Sequence, residues 1–344
     1  MKKFLALTLA LCMVLALCAC GSSSSTASTT AATAAASTEA APAEAGELKY
    51  AVVLKTVSTS FWKNMYDGIE TYAAENGIAV DLFTAASDTD DAGQLAVVEN
   101  CINSGEYAGI AIAPVNSTTL VSAVKLANDA GIPVVNIDER FNVEEMNSQG
   151  ATCVGFASSD NNSIGYMGAE YLCSLIEEGS QVGVVEGIAG NTSSEERASG
   201  AKAAFEANGM DIVADKACDW DMQTALDTVA AWCMQYPDLK AIYCCNDGMA
   251  AGVRQAVAAS GLEIYVCGTD GDTDAIEAVA GKASDGVSMT ATVAQDPAKI
   301  GSTCLQLLID AVADPDAFPG SAEPTKTPVD AILVTAENAE SMLG

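Results

Sequence analysis

The chain has 344 residues and no histidine, and its 46 acidic side chains outnumber 15 basic ones for a formal charge of −31. Such a surface repels nucleic acid and anionic lipid, so neither is a partner. Without histidine there is no serine–histidine relay and no His-based zinc or iron site.

The N-terminus sets the compartment. Lys2 and Lys3 precede an apolar run from Phe4 to Leu17 that is too short to span a bilayer stably, the layout of a secretory leader. The Ser/Thr/Ala-rich tract from Ser22 to Gly46 cannot bury a core and reads as a tether. Nothing further along resembles a membrane span. About 300 residues remain, enough for two lobes of ordinary size.

Those residues alternate β-rich runs with helical patterns, which predicts parallel sheets with crossover helices. Leu48–Leu54 is a predicted strand. Trp62, Met65, Tyr66, Ile69, Tyr72 and Ala73 recur at helical spacing, and Asn76-Gly77 ends the run. Strands at Ile78–Phe83, Gly109–Ala113 and Pro133–Ile137 alternate with helices near Asp91–Ser104 and Ser117–Ala130. A second series follows Cys153–Ala157. Its strands lie near Val182–Glu186, Ile212–Lys216, Ala241–Cys245 and Ile264–Gly268, and its helices near Ser163–Glu177, Ser193–Asn208, Met222–Tyr236 and Gly248–Ser260. Strand Ser288–Ala294, helix Pro297–Ala313 and strand Ala331–Thr335 close the chain. This is an α/β protein of two Rossmann-like lobes with parallel sheets.

Open α/β sheets bind ligands at the carboxyl ends of their strands. Lys55, Asp138, Asn246, Asp270 and Gln295 each follow a predicted strand, and Arg197 lies just inside a helix after another. Phe61, Trp62 and Trp220 supply flat apolar faces. Amides, charges of both signs and aromatic rings suit a pyranose, whose hydroxyls donate and accept while its C–H faces stack. Residues after strands also cap helices, but Lys55, Arg197, Trp220 and Gln295 are not capping residues.

Other patterns are weaker. Asp88, Asp90, Gly93 and Glu99 imitate a calcium loop, but Ala92 occupies one ligand position. Asp270, Asp272 and Asp274 also look metal-like, with Ala275 and Gly281 where such a loop needs glycine and glutamate. Gly187 to Gly190 lacks the lysine of a phosphate cradle, and Glu195 and Glu196 read as first-turn acids. Most cysteines of the domain fall in apolar runs, as small core residues do, with a disulfide framework as the alternative, and no CxxC pair exists. No metal site and no cofactor are expected.

The segments AVVLKTVSTSFW (Ala51 to Trp62), GIAIAP (Gly109 to Pro114), VNIDE (Val135 to Glu139), VEGIAGN (Val185 to Asn191), DWD (Asp219 to Asp221), KAIYCCND (Lys240 to Asp247), GTDG (Gly268 to Gly271) and TATVAQDPAKIG (Thr290 to Gly301) resemble, in order, the ribose- and allose-binding branch of the periplasmic sugar-binding proteins. The likeness runs from about Lys49 to Thr335. It implies the type I periplasmic-binding-protein fold, with three hinge crossings near Ser159, Gln295 and Pro328, and no enzymatic activity. The lobes would be 47–159 plus 296–328 and 160–295 plus 329–344. Lys55, Asp138, Arg197, Asn246, Asp270 and Gln295 would hydrogen-bond the sugar, with Phe61, Trp62 and Trp220 as stacking walls. Thr59 and Glu139 would be further ligand-binding residues: Glu139 after Asp138 is similar to the allose type, whereas Thr59 stands where that pattern has asparagine.

Leu17-Cys18-Ala19-Cys20-Gly21 resembles a bacterial lipobox, which implies a leader over 1–19, lipidation at Cys20, and a tether over 20–46. The expected protein is an exported, lipid-anchored monomer. It presents a monosaccharide, D-allose or D-ribose-like, to the permease subunits of an ABC importer, or signals to a membrane sensor through the same pocket.

Overall fold

The first strand, β1 (Lys49–Leu54), shows why the first half of the chain is layered. Tyr50, Val52 and Leu54 pack with Met65, Ile69, Ile300 and Leu305, while Ala51 and Val53 pack with Val98, Ile102 and Val124 on the other side. The period of two buries both faces, the signature of a strand inside a parallel sheet covered by helices. The computed structural model describes residues 48–343; the expected leader, Cys20 and the whole of the expected tether lie outside them.

After β1 come α1 (Ser60–Asn76), β2 (Ala79–Thr84), α2 (Asp91–Ser104), β3 (Gly109–Ile112), α3 (Val121–Asp129), β4 (Val134–Ile137), α4 (Val143–Gln149) and β5 (Gly155–Ser159). The second series is α5 (Asn161–Cys173), β6 (Gln181–Glu186), α6 (Thr192–Ala207), β7 (Asp211–Ala217), α7 (Met222–Gln235), β8 (Leu239–Cys244), α8 (Asp247–Ser260), β9 (Tyr265–Asp270), α9 (Thr273–Val279) and β10 (Ala291–Ala294). The chain ends with α10 (Pro297–Ala313), β11 (Lys326–Val329), β12 (Ile332–Thr335) and α11 (Ala339–Met342).

Two six-stranded sheets result, ordered β11-β5-β4-β3-β1-β2 and β12-β10-β9-β8-β6-β7. The pattern is the same in both, so one half repeats the other. The chain leaves the first sheet after β5, returns after β10 so that α10 packs on β3, β4 and β5, and leaves again between β11 and β12. All pairings are parallel except β12, which runs antiparallel to β10. Parallel sheets alone do not describe the second lobe, because β12 enters its edge directly from β11 with no crossover helix to reverse its direction.

Asparagine or aspartate caps most of the helices: Asp90, Asn142, Asp160, Asn191, Asp221, Asn246 and Asp296 each accept the amide three residues on. Each cap is worth about 1 kcal/mol. Several sit between a strand end and a helix start, so the same short loops build both the caps and the cleft.

Some elements escape the sequence pattern. Helix α4 has seven residues and buries only Met146, too little for a periodicity. Strand β11 contains Pro328, which argues against a strand, yet it lies at the sheet edge where a missing N–H is harmless. Helix α5 stops at Cys173 rather than continuing to Glu177, and β10 begins at Ala291 rather than Ser288. Every cysteine among the described residues is buried and unpaired, in keeping with small core residues.

Candidate ligand-binding cleft

The carboxyl ends of the two sheets face each other across a cleft that encloses about 290 Å³. Small-ligand sites span about 300–1,000 Å³, so this one suits a compact solute. Lys55, Thr59, Phe61, Trp62, Asp138 and Glu139 line it from the first lobe, and Arg197, Trp220, Asn246 and Asp270 from the second. Gln295 is not on the wall. It stands behind Asp270, to whose Oδ1 its amide donates at 2.7 Å.

Arg197 organises the second-lobe side. It projects from the second turn of α6 and is almost wholly buried. Its Nε donates to Asn161 Oδ1 at 2.9 Å, and its Nη1 to the Cys245 carbonyl at 2.8 Å and to Asp270 Oδ1 at 3.2 Å. Three anchors, from α5, the residue just after β8, and β9, fix the guanidinium plane. Helix α6 reaches this depth because Gly165 and Gly200 let α5 and α6 meet backbone to backbone; a Cβ on Gly165 would strike the Arg197 carbonyl.

The rings form two walls. Phe61 and Trp62, in the first turn of α1, meet edge to face with centroids 5.0 Å apart. Lys55 Nζ lies 5.5 Å from the Trp62 centroid, a cation–π distance. Opposite them, Trp220 lies against Gly187, where any Cβ would occupy the indole.

Backbone strain concentrates here. Asp138 (φ 54°), Asp219 (φ 55°), Trp220 (φ 59°) and Asp270 (φ 121°) are the non-glycine residues with positive φ among the described residues, and three of them line the cleft. For a residue as bulky as tryptophan that conformation costs about 1–3 kcal/mol. It persists because Asp219 N donates to Gly187 O at 3.2 Å and Asp221 caps the next helix.

Burial governs the electrostatics. The Asp138 carboxyl is pushed up to about 7, chiefly by desolvation, against the opposing pull of Arg197. Its Oδ1 is buried without a partner, as is Gln295 Oε1. Burial also raises Asp270, while Arg197 and the Gln295 amide oppose it. Glu139 differs: Oε1 accepts Thr192 N at 2.8 Å, and Oε2 accepts Asn191 Nδ2 and Ser193 Oγ, both at 3.0 Å, all from the opposite lobe. Lys55 Nζ lies 3.6 Å from the same Oε2. Asn246 both lines the cleft and caps α8, its Oδ1 accepting Met249 N at 2.8 Å. Thr59 is exposed at the rim, occupying the N-cap position of α1 without making a cap bond.

The structure adds lining residues that strand-end reasoning passed over. Asp88, Asn116, Ser117 and Thr118 come from loops after β2 and β3, and Asp272 from the loop after β9. Asp88 and Asp272 first attract notice as parts of metal-like acid runs. Among the described residues, however, no cluster of acidic or thiol side chains could hold a metal ion. The signal available for both was position, because each follows a strand. Asp247, also after a strand, is buried behind the wall and accepts Gly271 N at 2.8 Å, Asp272 N at 2.9 Å and the Thr292 hydroxyl. Gln94 does the matching work in the first lobe. Its amide donates to Leu54 O and Ala113 O and accepts Val115 N, tying together the ends of β1 and β3.

Two repeated α/β lobes around an aromatic-walled polar cleft define the two-lobed class of solute-binding proteins. The family described as periplasmic binding protein domain matches residues 50–315, and the chain belongs to it. Its members are extracytoplasmic and bind their solutes without transforming them. The chain is 42% identical to the D-allose-binding periplasmic protein of Escherichia coli, over 83% of this chain and 92% of that protein. It is 34% identical to the D-ribose/D-allose-binding protein of Pseudomonas aeruginosa, over 84% and 89% respectively. A crystal structure of an ABC transporter periplasmic solute binding protein from Actinobacillus succinogenes with bound D-allose superposes with a TM-score of 0.76 at 27% identity, covering 86% of this chain and 99% of that one.

Proposed function

We propose that this chain is the lipid-anchored receptor of an ABC importer for a monosaccharide, D-allose or a D-ribose-like sugar, held between the two lobes. The arrangement that carries this reading is Arg197 flanked by Asp138 and Asp270 between aromatic walls. A sugar hydroxyl both donates and accepts, so it can bridge a guanidinium and a carboxylate, with charge-assisted bonds worth about 1.5–3 kcal/mol each. The unpartnered Asp138 Oδ1 is an acceptor suited to a hydroxyl donor. Lys55, Thr59 and Asn246 would complete the polar set, with Phe61, Trp62 and Trp220 against the ring faces. The 42% identity to the D-allose-binding protein favours that sugar. Anchoring is proposed at Cys20, with 20–46 as the tether and the leader removed.

Calorimetric titration with D-allose, D-ribose, D-xylose, D-galactose, D-glucose and an inositol tests the ligand class. Micromolar or tighter binding of D-allose or D-ribose is the expected result. Tight binding only of an amino acid or a phosphate ester overturns it. Mass spectrometry of the membrane-extracted N-terminus tests the anchor; an unmodified Cys20, or cleavage elsewhere, removes it.

A further inference from the structure

Glu139 makes the only side-chain hydrogen bonds among the described residues that span the cleft away from the three crossings. It leaves β4 in the first lobe and is 2% exposed. Its partners are the cap and first two residues of α6 in the second lobe: Asn191 Nδ2, Thr192 N and Ser193 Oγ. A carboxylate offers about four lone-pair positions. Three donors and the nearby Lys55 ammonium fill them, leaving none for a solute. The partner end is well chosen. Helix α6 runs for 16 residues, and its N-terminus presents unpaired amides and positive potential to an anion.

The contact continues into the floor of the cleft. Ser193 Oγ accepts Asn161 Nδ2 at 3.3 Å, Asn161 Oδ1 accepts Arg197 Nε at 2.9 Å, and Arg197 reaches Asp270 at 3.2 Å. A chain of polar contacts thus runs from Lys55 in one lobe to Asp270 in the other. All members but Lys55 and Glu139 belong to the second lobe.

We infer that Glu139 is a positioning residue that latches the first lobe to the N-terminus of α6, setting how much of the ligand-free protein occupies the closed form. It acts through Arg197 and the helix that carries it rather than on the solute. This rests on the receptor reading of the cleft but not on which sugar fills it. If only the closed form binds with full affinity, the apparent affinity falls in proportion to the closed fraction. Loss of the latch therefore weakens every ligand by the same factor, whereas loss of a direct contact penalises those ligands that used it.

The test compares four forms of the purified protein by small-angle X-ray scattering without ligand and by calorimetry with D-allose and D-ribose. They are the natural chain, Glu139→Ala, Asn191→Asp, and the reversed pair Glu139→Gln with Asn191→Asp. Asn191→Asp keeps the α6 cap, because aspartate caps as well as asparagine, but sets a second carboxylate against Glu139. The reversed pair restores the contact with donor and acceptor exchanged, since the new amide can still accept Thr192 N. Both single variants should scatter as a more open particle, with affinity for the sugars that bind reduced by a common factor of roughly ten. The reversed pair should return towards the natural chain in both respects. Unchanged ligand-free scattering in both single variants overturns the latch, as does a loss confined to one sugar or a reversed pair no better than its parents. If no sugar binds, the ligand reading fails, while the scattering still decides the latch.

Discussion

Arg197 Nη1 and Gln295 Nε2 converge on one oxygen of Asp270, at 3.2 and 2.7 Å, although the three residues lie on different elements of the second lobe. One carboxylate oxygen is thereby fixed, and the other is left to the cleft. Gln295 is a residue behind the site that orients one in it, and Arg197 is the member whose loss leaves most behind unpaired.

Arg197→Ala should weaken sugar binding at least roughly a hundredfold, because it strands the buried Asp270 carboxylate and the Asn161 amide together. Arg197→Lys should not restore it, since a single ammonium cannot reach the Asn161, Cys245 and Asp270 oxygens in one plane. Calorimetry on both variants checks this. Near-natural affinity for the lysine variant would show that charge alone is needed.

Asp138 gives the site a pH dependence with a definite sign. Its folded carboxyl titrates at about 7, against about 3.9 in an unfolded chain. Between those values the folded protein holds a proton that the unfolded chain has lost. This group's contribution therefore falls as pH rises through that window, by about 4 kcal/mol. The ligand-free melting temperature should drop from about pH 5 to about pH 8, and Asp138→Asn should flatten the slope. A sugar hydroxyl donating to Asp138 favours the ionised form. Binding near neutral pH should then release a proton, seen as a titration enthalpy that changes with the ionisation enthalpy of the buffer. A buffer-independent enthalpy would remove Asp138 from the contact set.

Gly187→Ala should displace the Trp220 indole, because the new methyl needs the space the ring fills. We expect roughly tenfold weaker sugar binding, the stacking share of about 1 kcal/mol or more. Quenching of tryptophan fluorescence on sugar addition should diminish with it. Unchanged affinity would mean that Trp220 makes no stacking contact.

Gln94→Ala tests the scaffold rather than the pocket. The side chain is fully buried, and its loss leaves the Leu54 and Ala113 carbonyls and the Val115 amide without their partner. Urea unfolding should show a loss of about 2–4 kcal/mol. A loss within about 0.5 kcal/mol would mean that water replaces the amide at no cost.

The strand ends were readable because parallel strands buried on both faces are continuous apolar runs, and the polar residue that breaks each run marks the sheet's carboxyl edge. Lys55, Asp138, Asn246 and Asp270 stand out in this way, and Arg197 and Trp220 follow one short loop later. Glu139, Gln94 and Asp247 look no different from other polar residues near a strand or on a helix. Their roles depend on which backbone groups lie opposite: Thr192 N for Glu139, Leu54 O for Gln94, Gly271 N for Asp247. Pro328 concealed a strand because its cost vanishes only at an edge, and edges exist only in an assembled sheet.

By itself the sequence determined the alternation of strands and helices, the doubling of the lobe, and the polar and aromatic residues available at the sheet edges. Those properties follow from local periodicity and from what a buried strand tolerates. Tertiary structure decided that Gln295 serves Asp270 from behind, that β12 runs antiparallel, and that Glu139 spans the cleft to the end of α6. A carboxylate binds whichever donors are brought within about 3 Å of it, and only the packing of α5 against α6 and the three crossings bring those donors there.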